Sequence, residues 1–161
     1  MADGVALRAP ARLEPLDPRV RTLWRCAGAI TAVPPLLVVL VLDLVAPHPL
    51  PAGVPTLLWA VALGGLVAGG PALRYRRWRY ALREDDLWIR QGVVWTRVTV
   101  IPYRRIQFVD TRQGPLDRAF GLAQLVVHTA APGTSGHLPG LDAAEAERLR
   151  ERLAGFGTDA L

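Results

Sequence analysis

Lysine and asparagine are absent from the 161 residues, serine and cysteine each occur once, and the formal net charge of +5 therefore rests on arginine alone. Without lysine there is no P-loop phosphate clamp and no Schiff-base nucleophile. The lone Cys26 excludes an internal disulfide, and with the scattered His48, His128 and His137 it leaves no metal-ligand spacing. Ser135 lies in a Pro/Gly-rich loop without an adjacent base, so no nucleophile, base and orienting group assemble. These absences count against most enzyme classes, and the chain reads as non-enzymatic, with no cofactor and no metal. Arginine richness follows a general preference for Ala, Arg, Gly and Pro, so where the arginines lie says more than how many there are.

Two long apolar runs dominate the first half. Residues 27–46 read AGAITAVPPLLVVLVLDLVA, with Asp43 near the outer end, and residues 54–73 read VPTLLWAVALGGLVAGGPAL with no charge. Each approaches the roughly 20 residues needed to cross a hydrocarbon core of about 30 Å. Neither has a polar face to turn toward water, and the second run argues against the first being a cleaved signal peptide. The expected organisation is a cytoplasmic segment over 1–21, a two-helix transmembrane hairpin over 22–73, and a cytoplasmic domain over 74–161. Pro34 and Pro35 predict a kink in the first helix.

Arg8, Arg12, Arg19, Arg21 and Arg25 precede the first run, Arg74, Arg76, Arg77, Arg79 and Arg83 follow the second, and the connecting segment has none. By the positive-inside rule both termini face the cytoplasm of a two-span cell-membrane protein. Gly65 and Gly69 form a GxxxG pair, beside a small-residue ridge of Ala60, Gly64 and Ala68. Such a ridge admits a close helix. Its expected partner is the first span of the same chain; homodimerisation or docking to another membrane protein is the alternative.

The stretch RYRRWRYALR, residues 74–83, interleaves arginines with Tyr75, Trp78 and Tyr80. Alternating bases and aromatics suit nucleic acid, but the position beside a membrane span suits anionic headgroups better. Arg74, Arg76, Arg77 and Arg79 are read as a topology anchor, with headgroup recognition as the sharper alternative and no nucleic acid expected.

Beyond this point the apolar period shortens to two. Trp78, Tyr80 and Leu82 predict a half-buried strand, 84–86 (EDD) a solvated turn, and 87–89 a second strand. After Gln91-Gly92, the β-branched run 93–102 (VVWTRVTVIP) predicts a third strand ended by Pro102, and IQFVDT a fourth. In RQGPLDRAFGL, Leu116 and Phe120 stand four apart and Gly121 occupies a left-handed terminus, which makes a single helical turn before the strand 122–129. Arg112 and Arg118 in this corner either pair with Asp110 and Asp117 or face a ligand or partner. Residues 131–140 read as a loop. An Asp142/Glu145 capping pattern then opens a C-terminal helix of roughly three turns, with Leu149 and Leu153 on one face and Gly155 and Gly157 as its stop.

An α+β chain results: a transmembrane helical hairpin followed by a PH-like antiparallel β-domain capped by a C-terminal helix. On TVIPYRRIQFVDTRQGPLDRAFGLAQLVVHT and LPGLDAAEAERLRERL, most specifically IPYRRIQ and RQGPLDRAFGLA within residues 101–123, the chain resembles the bacterial PH domain family of YdbS-like membrane proteins. The resemblance implies a membrane-tethered module rather than an enzyme. It marks Arg104, Arg105, Gln107, Arg112, Gln113, Gly114, Pro115, Leu116, Arg118 and Gly121 as family-signature positions, with the corner as a partner surface. The expected function is a scaffold that presents the domain to a membrane protein partner or a second copy, with anionic headgroup binding as the alternative.

Overall fold

The computed structural model describes residues 13–47, 49–130 and 135–158, the last three by their backbone alone. Arg8 and Arg12 of the basic flank, His48 and residues 131–134 of the expected loop lie outside them. Two long helices come first, α1 (Arg19–Val45) and α2 (Val54–Arg77). A meander β1 (Arg79–Leu82), β2 (Asp86–Gln91) and β3 (Arg97–Pro102) follows, then a 3₁₀ turn Tyr103–Arg105. Next come β4 (Ile106–Arg112), α3 (Pro115–Ala119), β5 (Leu122–Thr129), β6 (Gly136–Asp142) and α4 (Ala143–Thr158). The strands form two antiparallel sheets, ordered β1-β2-β3 and β4-β5-β6, with α4 packed on the second. This is the expected α+β plan with a PH-like domain.

Both apolar runs are helical, and only 6% of the most apolar window of each is buried inside the chain. Ile30, Leu37, Val41, Leu57, Val61 and Leu66 all point outward. A helix of a water-soluble core would bury such residues; these have lipid as their natural solvent. The first helix continues through Pro34 and Pro35. Asp43, buried at the outer end of α1, accepts hydrogen bonds from the Gly53 and Thr56 amides at 3.0 and 3.3 Å and from Thr56 Oγ1 at 2.6 Å. The carboxylate of one helix thus caps the N-terminus of the other, where amides lack intrahelical partners.

No flexible linker separates hairpin from domain. Trp78 ends α2 and Arg79 already belongs to β1, while Arg79 Nη1 donates to the Tyr75 and Trp78 carbonyls that the helix end leaves open. On the other side Leu16, Val20 and Leu23 enter the domain core among Tyr80, Ile89, Leu138 and Leu141. Burying each such aliphatic side chain contributes about 1.5–3 kcal/mol. Glu14 exchanges backbone hydrogen bonds with Tyr80 at 2.8 and 3.1 Å, covering the free edge of β1.

Three elements depart from the sequence pattern. Residues 93–96 are a turn, and β3 starts only at Arg97, because Gly92 has φ +122° and an added Cβ would lie 1.7 Å from the Trp95 carbonyl oxygen. Of the expected loop 131–140, residues 136–140 belong to β6. Pro139 and Gly140 fall where the β5–β6 register shifts between Ala123 and Leu125, a bulge that tolerates the missing proline N–H and the positive φ of Gly140, +65°. Finally, α4 runs through Gly155 and Gly157 to Thr158, 16 residues in all. Its first turn is capped by Asp142 Oδ1, which accepts from the Ala144 amide at 3.0 Å, while Glu145 instead receives the Tyr80 hydroxyl at 3.2 Å.

Candidate functional site

The basic stretch divides into residues with different duties. Arg74 lies with its guanidinium carbon 4.3 Å from the centre of the Trp24 ring, and Arg21 sits 5.4 Å from that of Tyr75. These cation–π contacts join the ends of the two helices that lie next to the domain. Arg79 is committed to the end of α2 as described. Arg76 and Arg77 are exposed, and among the described residues they make no ion pair.

The corner is built by Asp117, whose buried carboxylate accepts from the Gly114 amide at 2.9 Å and from Gln124 Nε2 at 2.8 Å. Pro115 opens the single turn, Leu116 and Phe120 pack on the core, and Gly121 at φ +64° closes it. Gln113 Nε2 donates to the Leu122 carbonyl at 3.0 Å. Five of the signature positions are therefore explained by the geometry of the turn.

Neither proposed arginine–aspartate pair forms across the corner. Asp117 is taken by Gly114 and Gln124, and Asp110 lies 3.8 Å from His128 Nε2. Arg112 and Arg118 are exposed, without an ion pair among the described residues. Arg118 borders a shallow cleft with Thr111, Gln113 and Glu147. Arg104, Arg105 and Gln107 are exposed at the opposite end of β4 from Arg112, roughly 20 Å away at 3.3 Å per residue, so the signature arginines are two groups rather than one.

Two residues that sequence pattern overlooked tie these parts together. Arg19, at the start of α1, donates to the Phe120 carbonyl at 3.2 Å and pairs with Asp17 and Asp142 at 2.9 and 2.7 Å. Hydrogen bonds from Arg19 hold both carboxyls below their ordinary range, and the two acids raise the arginine in turn. Its flanking position in a basic run concealed this bonding role. His137 is the second. Its Nε2 is 2.9 Å from Gln124 Oε1, which continues the network from Asp117. Partial desolvation of this surface imidazole lowers its pKa, and Arg74 and Arg112 lower it further, so one arginine of the juxtamembrane stretch and one of the corner act on the same imidazole.

The small-residue ridge does not pack as expected. A Cβ on Gly64, Gly65 or Gly69 would meet nothing within 4 Å, whereas the close approach between the helices is made by Gly28 against Val67 at 3.4 Å. The glycines of α2 face away from α1.

The family model described as Bacterial PH domain matches residues 30–156. UPF0699 transmembrane protein YdbS of Bacillus subtilis (strain 168) is 37% identical over 84 residues, covering 52% of this chain and 52% of the relative. UPF0699 transmembrane protein YdbT of the same organism is 31% identical over 99 residues, covering 58% of this chain and 20% of the relative. The match thus spans about half the length of the first curated relative and a fifth of the second. No solved structure matches the chain.

Proposed function

Because the chain belongs to the bacterial PH domain family, and is a membrane protein whose PH-like domain follows two apolar helices, we propose that it is a non-enzymatic scaffold presenting that domain to a membrane protein partner. The observation that carries this reading is the direct fusion of domain and hairpin: Leu16, Val20 and Leu23 share the domain core, and Trp78 passes straight from α2 into β1. A domain held in one orientation at the bilayer meets a neighbouring membrane protein at high effective concentration, so modest affinity suffices. Arginines on both flanks and none in the 46–53 connection support cytoplasmic termini, with 74–161 on that side. The exposed Arg112 and Arg118 are the proposed contact. Crosslinking with mass spectrometry on native membranes tests it: the unaltered chain should capture a specific protein that the Arg112→Gln/Arg118→Gln variant loses, and equal capture by both would remove the corner from the function.

Headgroup binding is the second reading, favoured by the exposure of Arg76 and Arg77 immediately after the apolar run. Each adds on the order of 1 kcal/mol of attraction to an anionic surface. A preference among headgroups of equal charge, lost in Arg76→Gln/Arg77→Gln, would move the function from protein scaffold to lipid sensor.

A further inference from the structure

Among the described residues of the domain, the β2–β3 turn carries the most exposed large apolar side chains. Val94 and Trp95 are 84% and 86% exposed, against 52% for Phe108, whose ring is stacked on His128 at 4.2 Å. The turn requires glycine at position 92, where φ is +122° and an added Cβ would lie 1.7 Å from the Trp95 carbonyl oxygen.

Topology decides which way it points. Arg79 follows α2 directly, and β1 runs from there away from the hairpin; β2 pairs antiparallel with it, Arg90 opposite Arg79, and so returns to the hairpin end. Residues 92–96 therefore lie beside the cytoplasmic end of α2. Arg74, the first residue after the apolar run, shares a cleft with Trp78, Val93, Trp95 and Arg97. The other turn of the meander, with Glu84, Asp85 and Asp86, is at the far end. The sheet thus directs two valines and a tryptophan, flanked by Arg90 and Arg97, toward the bilayer side and its acidic turn away. Aromatic rings with nearby arginines suit the headgroup boundary, and carboxylates do not suit an anionic surface.

We propose that residues 92–96 form an interfacial anchor: Val94 and Trp95 enter the headgroup–acyl boundary of the same bilayer that the hairpin crosses, giving the domain a third point of attachment. The occupant is lipid, because the turn is continuous with the membrane end of α2 and carries the charge pattern of that surface. The inference rests on the two helices spanning a bilayer and is independent of the partner.

The full chain in vesicles of phosphatidylethanolamine and phosphatidylglycerol provides the test. With Cys26→Ala as background, Val94→Cys, Glu84→Cys and Leu58→Cys are each labelled with an environment-sensitive fluorophore. Quenching by nitroxide lipids and by aqueous iodide is then compared. Lipid quenching several-fold stronger at position 94 than at 84, with iodide protection at 94, is the expected result. Iodide access at 94 equal to that at 84 would overturn the anchor, as would protection without lipid quenching, which means a protein surface or a second copy covers the turn. Leu58 separates the failures: if it too escapes lipid quenching, the span itself is wrong. Should the background variant fold poorly, Trp95→Phe in the otherwise natural chain should reduce the quenching of tryptophan emission by brominated lipids, and no reduction would refute the anchor.

Discussion

Asp43 of α1 holds Thr56 of α2 by its hydroxyl at 2.6 Å and its amide at 3.3 Å, so the two membrane helices are joined at their outer ends by a carboxylate acting as a helix cap. The ends next to the domain are joined by the Arg74–Trp24 and Arg21–Tyr75 contacts. Polar fastening at both ends and Gly28 against Val67 between them define the hairpin as a unit.

Replacing Asp43 with Ala removes the acceptor from Gly53 and Thr56 together. A lost cap costs about 1 kcal/mol, within a range of roughly 0.5–2. Thermal unfolding in detergent micelles should register that loss, and Thr56→Val should add little to it in a double-mutant cycle, because both changes break the same bond. Full additivity would show that Asp43 stabilises the hairpin through something other than Thr56.

Gly140 is where α1 meets the domain. Its φ is +65°, and an added Cβ would lie 2.3 Å from Val20 Cγ2. Gly140→Ala should destabilise the chain by about 2 kcal/mol or more through the clash and the unfavourable φ together. Val20→Ala in the same chain should restore part of that loss by opening space, while the backbone strain persists. Denaturant midpoints of the three variants decide it; a neutral Gly140→Ala would mean that α1 is not seated against β6.

These two contacts mark the limit of what pattern reading could reach. The membrane helices were legible because their signal is a run of some 20 apolar residues, and the corner because Gly114-Pro115 and Gly121 impose a turn whatever surrounds them. The ridge failed as an intramolecular contact because small residues specify only that something may approach closely; which helix does so depends on the rotation of α2, and Gly28 with Val67 took the place. Residues 93–96 are β-branched and aromatic and read as strand, yet the conformation at Gly92 turns the chain there. In β6, His137, Leu138, Pro139 and Gly140 read as loop until the bulge is taken into account. Arg19 and His137 carried no local signal, since their partners lie across the fold.

Acidification should act first through His137. Its pKa in the fold is below the ordinary 6.5, because partial desolvation and the nearby Arg74 and Arg112 oppose its charging more than Asp117 favours it. The unfolded chain therefore takes up the proton first, and stability falls as pH drops below about 6.5, levelling off once the folded value is passed. Asp17 and Asp142, lowered from 3.8 chiefly by their hydrogen bonds to Arg19, lose their contribution in a separate window, as pH falls through 3.8 toward their folded values. His137→Gln retains a donor for Gln124 and should flatten the upper window alone in a series of melting temperatures against pH. An unchanged slope would assign it to another group.

Gly65→Leu places a large side chain where the chain itself has nothing within 4 Å of the new Cβ, so it should change the stability by no more than a surface substitution does, about 0.5 kcal/mol. If the chain engages a membrane protein or a second copy through this face of α2, the same substitution blocks the approach that small residues permit. The expected result on membranes is therefore loss of crosslinked product from a stably folded variant. Retained crosslinking would leave the exposed arginines of the corner as the recruiting surface, and loss of folding would mean that α1 packs on the ridge after all.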